Sequence, residues 1–181
     1  MKLSYNSPVI LTYSLISVLI LFITGITHSS VLYSLFTSPS GALLNPVSIF
    51  RLFSHVMGHS NWNHLIANLT MMLLIGPLLE EKYGSYKILE LFTITALVTG
   101  IINYFLFSTC IHGGSGLVFT LILLSSFANF KSGSIPLTLV LVAVLFLGQE
   151  VLNSFKADNI SQFAHIAGGL TGSVYGFFRM K

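Results

Sequence analysis

The stretch His112-Gly113-Gly114-Ser115-Gly116 decides how this chain reads. It lies between two strongly apolar runs, Ile88–Phe107 and Leu117–Leu124. A serine flanked by glycines is ordinary in a water-exposed loop. Beside sequence that reads as lipid-embedded it is unusual, because small polar groups there must find partners inside the protein. Two other polar positions lie in or beside apolar runs and can face it: His64 with Asn68, and His165. The set reads as a catalytic site inside a membrane.

Composition agrees. The chain has 181 residues, 54% of them hydrophobic and 7% charged, where a soluble domain carries about 25% charged residues. Mean hydropathy is +0.86. So few charges cannot cover the surface of a soluble domain. The one cysteine, Cys110, excludes an intramolecular disulfide. A net charge of +3, spread without basic runs, argues against nucleic-acid binding. No internal repeat or low-complexity segment is visible.

Working outward from Ser115, the apolar run Gly116–Phe130 reaches only about 22 Å at helical rise, short of a roughly 30 Å hydrocarbon layer. If the helix starts at Ser115, the serine sits below the membrane surface and the loop before it dips inward. Five further spans flank it. Pro8–Thr27 is uncharged and long enough to cross. A cleaved signal peptide fits it less well, because Lys2 is the only nearby basic residue and no small-x-small site follows clearly. His28–Asn63 mixes Pro39, Gly41, Pro46 and Gly58 with apolar pieces, which suggests an ordered loop lying partly in the interface. The chain is thus read as an all-α polytopic membrane protein, one domain over residues 1–181. Six transmembrane helices are expected at about 8–27, 64–79, 88–107, 115–130, 135–152 and 162–178, the fourth short and starting at a buried serine. Ser154–Ser161 reads as a polar loop. Lys2, Lys82, Lys87, Lys131, Arg179 and Lys181 then fall on the terminal side, with Arg51 and Lys156 opposite. The positive-inside rule makes the terminal side cytoplasmic, so the Ser115 loop opens outward.

His64 and Asn68 are four apart and share a helix face. Together with Ser115 and His165 they lie toward one side of the bilayer. A serine becomes a nucleophile when a base takes its proton, and His165 is the candidate base. The His64 imidazole, the Asn68 amide and the Ser115 backbone N–H are candidate oxyanion donors. No carboxylate is placed to orient the base: Asp158 is in an outer loop, and Glu80, Glu81 and Glu90 are at the cytoplasmic ends. A Ser–His dyad is more economical than a triad. On the last span, Gly168, Gly172 and Gly176 recur every four residues, on the face of His165. Such spacing lets another backbone approach closely, and Gly116 points to the fourth helix as the neighbour.

These residues resemble the rhomboid intramembrane serine proteases, in a small bacterial-type six-helix form. The matching pieces are His64-Leu-Ile-Ala-Asn68, Gly113-Gly-Ser-Gly116 and Ala164-His-Ile-Ala-Gly168, with Gly76, Glu80 and Gly84 spaced as a G-x-x-x-E-x-x-x-G. The likeness runs from about Phe50 to Phe178. It implies a serine endopeptidase with Ser115 as nucleophile and His165 as general base. His64, Asn68 and the Ser115 N–H form its oxyanion hole, and Gly113, Gly116, Phe119, Gly168 and Gly172 support it. The implied substrates are single-span membrane proteins, cut within the bilayer, in a bacterial inner (plasma) membrane. No metal, cofactor or nucleic-acid partner is implied. Two positions depart from the pattern: Phe50-Arg51 stands where Trp-Arg is frequent, and Phe119 where Tyr is frequent.

Rival classes have thinner support. His55, His59 and His64 lack an H-E-x-x-H or any acid between them, so a zinc protease is disfavoured, and loop hydrogen bonding is expected for the first two. A transporter would want charges along a midplane path, and Glu150 alone is deep in an outer half. Cys110 reads as loop packing, and His112 as a residue tuning water access. The main alternative is a catalytically silent rhomboid-like protein that binds and escorts membrane clients. The loop Ser154–Ser161 and the outer end of the fifth span, with Gln149 and Glu150, are expected to act as a substrate gate.

Overall fold

Apolar runs bounded by capping residues become helices here. The computed structural model describes residues 3–39, 45–107, 110–127, 137, 140–141, 144–145 and 159–179. Within these, the side chains of 126–127, 159–165, 173 and 176–177 are outside the description.

Helix α1 spans Pro8–Thr27, as expected, with proline in the first turn, where its missing N–H costs nothing. Its opening amides are satisfied from far along the chain. The Glu80 carboxylate accepts from Val9 N–H at 2.9 Å and from Ile10 N–H at 3.0 Å. A carboxylate suits the positive end of a helix dipole and fills two orphan donors. Replacing Glu80 with alanine should therefore lower stability by about 2 kcal/mol or more. A thermal unfolding midpoint within a degree or so of wild type, against a shift of several degrees expected from that loss, would refute this role.

The region expected as an interfacial loop holds α2 (Ser30–Leu35), α3 (Pro46–Ser54) and a 3-10 turn at His55–Met57. Arg51 ties it together. Its Nε donates to Thr37 O at 2.9 Å, and its Nη2 donates to Thr37 Oγ1 at 2.8 Å and Ser38 O at 2.7 Å.

Helix α4 covers Trp62–Tyr83 and begins before His64 because the Asn61 side chain caps it, accepting from His64 N–H at 2.9 Å. Its buried residues Leu65, Asn68, Met72, Gly76 and Leu79 recur at helical spacing on one face. Gly84, at φ 86°, turns the chain directly into α5 (Ser85–Leu106). Among the described residues, α1, α4 and α5 are long and apolar enough to cross a membrane. Leu15, Leu19, Phe22, Leu74 and Leu78 are exposed on their outer faces, as lipid contact requires.

Helix α6 (Ser115–Phe127) is central. Leu117–Leu124 is buried throughout, with α4, α5 and α7 (Asn159–Arg179) around it. A helix enclosed by protein need not match the hydrocarbon thickness. Residues 128–130 of the expected fourth span lie outside the description.

Helix α7 presses on two neighbours, where the sequence pointed to one. A Cβ on Gly168 would overlap Thr99 of α5, one on Gly169 would overlap Phe119 of α6, and one on Gly172 would overlap both Thr95 and Thr120. The Gly116 neighbour is Thr99 of α5, 3.7 Å from a Cβ built there. Helix α7 starts at Asn159, so the last residues of the expected loop Ser154–Ser161 are helical. The fifth span, about 135–152, the remaining loop residues and the gate built on them lie outside the described residues, apart from the helical, exposed positions 137, 140, 141, 144 and 145.

Candidate active site

Ser115 is the first residue of α6 and is half-buried. The loop before it is stitched down by backbone groups. Gly113 N–H donates to His55 O at 3.0 Å, Ile111 O accepts from Ser38 N–H at 2.7 Å, and Val118 N–H returns to Gly114 O at 2.9 Å. Ser38 Oγ also accepts from Ile111 N–H and from Asn103 Nδ2, both at 2.9 Å. Tyr13 of α1 reaches in from below. Its hydroxyl donates to Val56 O at 2.6 Å and lies against the α-carbon of Gly114. The loop is thus held by α1, the 3-10 turn and the α2–α3 link.

His64 and Asn68 share the α4 face toward this loop. Gly113 has φ 124°, and a Cβ there would sit 2.7 Å from His64 Cε1. Only glycine accepts both that backbone and that contact. His64 Nδ1 is 3.2 Å from Ser60 Oγ. Asn68 is buried, and its Nδ2 is 3.1 Å from His59 Nε2. His112 lies at the rim, its Nε2 3.1 Å from Tyr33 Oη and its ring centroid 6.4 Å from that of His64. Cys110 is exposed, with Sγ 3.9 Å from Arg51 Nη2. A hollow of about 310 Å³ is bounded by Thr24, His28, Ser29, Tyr33, His59 and Ser60. A larger hollow of about 400 Å³, between α1, α3 and α5, is walled mainly by apolar side chains such as Ile16, Phe53 and Phe92.

His165 lies on α7, three and seven residues before Gly168 and Gly172, and its side chain is outside the described part. Phe119 is buried against Gly169. No group of three or more metal-type ligands occurs among the described residues.

His59 is the residue the sequence reading left in the loop. Its neighbour at the site, Asn68, is nine positions on and across a helix start, so no helical spacing links them. His55 and His59 are both buried outside the spanning helices, and burial pulls each imidazole down to about 4. Both bind protons less readily folded than unfolded, so stability falls as pH drops from about 6.5 toward 4, by about 2 kcal/mol each at pH 5. The expected result is a clearly lower unfolding temperature at pH 5 than at pH 7.5. A flat profile would show that these rings stay open to water.

The Rhomboid domain family model matches residues 46–181. The chain is 26% identical over 136 residues to the Rhomboid protease GlpG of Haemophilus influenzae, covering 74% of this chain and 71% of that protein. It is 34% identical over 136 residues to RHOMBOID-like protein 4 of Arabidopsis thaliana and 28% identical over 140 residues to Rhomboid-related protein 1 of Caenorhabditis elegans. These matches cover 71% of this chain in each case, but only 33% and 39% of those longer proteins. An all-helical described structure with three membrane-length apolar helices, and a family model spanning most of the sequence, make this chain an integral membrane protein that belongs to the rhomboid family.

Proposed function

We propose that this protein is an intramembrane serine endopeptidase that cuts transmembrane segments of single-span membrane proteins by a Ser115–His165 dyad. The observation that carries the reading is the placement of Ser115. It opens a helix enclosed by protein, below a loop held in by α1 and the 3-10 turn, with His64 and Asn68 alongside. The Ser115 N–H, at the start of α6, is the backbone donor in this reading for the developing oxyanion. His64 adds a donor at Nε2 when the Ser60 hydroxyl donates to Nδ1. An amide nitrogen carries two hydrogens, so Asn68 keeps a second donor beside the one His59 receives. The six-helix core and the single domain over 1–181 belong to this proposal. So do the cytoplasmic termini, the outward-opening site and a bacterial inner (plasma) membrane, the last favoured by the bacterial source of the GlpG relative.

The deciding experiment incubates purified protein in detergent with a model transmembrane substrate and, separately, with a serine-directed phosphonate. Cleavage and covalent labelling at Ser115 are expected. Substrate binding with neither reaction would favour the alternative, a silent rhomboid-like escort of membrane clients. His64→Ala and Asn68→Ala should each lower kcat by up to about 10²–10³-fold with KM little changed, Asn68 less than His64. Unchanged turnover in both variants would reduce this α4 face to packing.

A further inference from the structure

His59 is 2% exposed, in the link between the 3-10 turn and α4. Its three neighbours agree on one protonation state. Nδ1 lies 3.1 Å from Met57 O, a carbonyl that can only accept, so Nδ1 carries the hydrogen. Nε2 lies 3.1 Å from Asn68 Nδ2 and 3.4 Å from Gly114 N, groups that can only donate, so Nε2 is bare. The same contact fixes which way the Asn68 amide points. The ring also meets His64 edge-on, with centroids 5.1 Å apart.

From this geometry we infer that His59 is a positioning residue for the oxyanion site, its bare Nε2 holding both the Asn68 amide and the backbone N–H just before Ser115. Asn68 comes from α4 and Gly114 from the loop that starts α6, so one acceptor sets the spacing of two elements. A protonated ring would point an N–H at two donors and release both. Burial, which keeps the ring neutral at physiological pH, supports the arrangement. A second-sphere acceptor of this kind holds catalytic donors in register without touching substrate.

The inference rests on the protease reading above, and the test separates the two. Turnover of a transmembrane substrate, per folded enzyme, is measured for wild type, His59→Gln, His59→Leu, Asn68→Ala and the His59→Leu/Asn68→Ala pair. His59→Leu should lose about tenfold or more in kcat at nearly constant KM. His59→Gln, whose side-chain oxygen can accept where Nε2 does, should recover most of it. His59→Leu should cost clearly less on top of Asn68→Ala than it does alone, because one of the two groups held by Nε2 is already gone and only the Gly114 N–H remains to be released. Nitrogen-15 spectra of the histidine rings give a readout independent of activity. They should show His59 protonated at Nδ1 at pH 7.5, with its Nε2 signal moved by Asn68→Ala. Equal losses in the Gln and Leu variants, multiplicative losses in the pair, or a proton on Nε2 would each overturn the inference. A protein that cuts but is insensitive to Ser115→Ala fails the protease reading instead. One that cuts nothing also fails that reading and leaves the ring spectra to decide this one.

Discussion

Ser115→Ala is expected to reduce cleavage by about 10⁴-fold or more while the unfolding temperature stays close to that of wild type. The chemistry predicts the first half. Without the hydroxyl no acyl-enzyme can form, and the remaining donors accelerate water attack only weakly. The structure predicts the second half. The change removes one oxygen from a half-buried side chain, and the loop is seated by the backbone groups of Gly113, Gly114, Ile111 and Val118. The helix start and its N–H groups remain. The measurement is substrate cleavage beside a thermal melt of the same preparation. Full activity in a clean Ser115→Ala sample would end the serine-protease reading.

His165→Ala should be about as inactive, and the Ser115→Ala/His165→Ala pair no worse than either single change. Nucleophile and base act as one unit, so removing the second costs nothing once the first is gone. The backbone favours this partnership. Helix α7 lies against α6, and residue 165 shares a face with Gly168 and Gly172, where α7 approaches its neighbours most closely. Chelators should have no effect on the wild type. A double variant far below both singles, or activity lost to EDTA and restored by zinc, would contradict a metal-free dyad.

Much of this was legible in the sequence because hydrocarbon imposes long uncharged runs. The first span was read to the residue, and Ser115 was placed at the start of a helix. Helix ends were less visible, since they depend on single capping groups: Asn61 lengthens α4 at its start, and Gly84 fixes where α5 begins. The site was legible where residues repeat at helical spacing, as His64 and Asn68 do. It was illegible where loops fold back on it. Tyr13 looked like one more residue of an unspecific first helix, yet its hydroxyl supports the loop that carries the serine. His59 looked like a loop histidine because its partners come from α4 and from a glycine far along the chain. The glycines of α7 announced close packing without announcing that α5 shares it.

The carboxylate that caps α1 has a consequence for biosynthesis. Val9 and Ile10 leave the ribosome 71 and 70 residues ahead of Glu80, their acceptor. At typical elongation rates of 5–20 residues per second, that is a wait of about 4–14 s. During that interval the first amides of α1 are without this acceptor. The cap is completed only when α4 has been made. Nascent chains arrested before Glu80 should therefore show faster hydrogen exchange at Val9 and Ile10 than chains arrested beyond Gly84. Equal protection in the two would mean that the first helix is finished before its cap arrives.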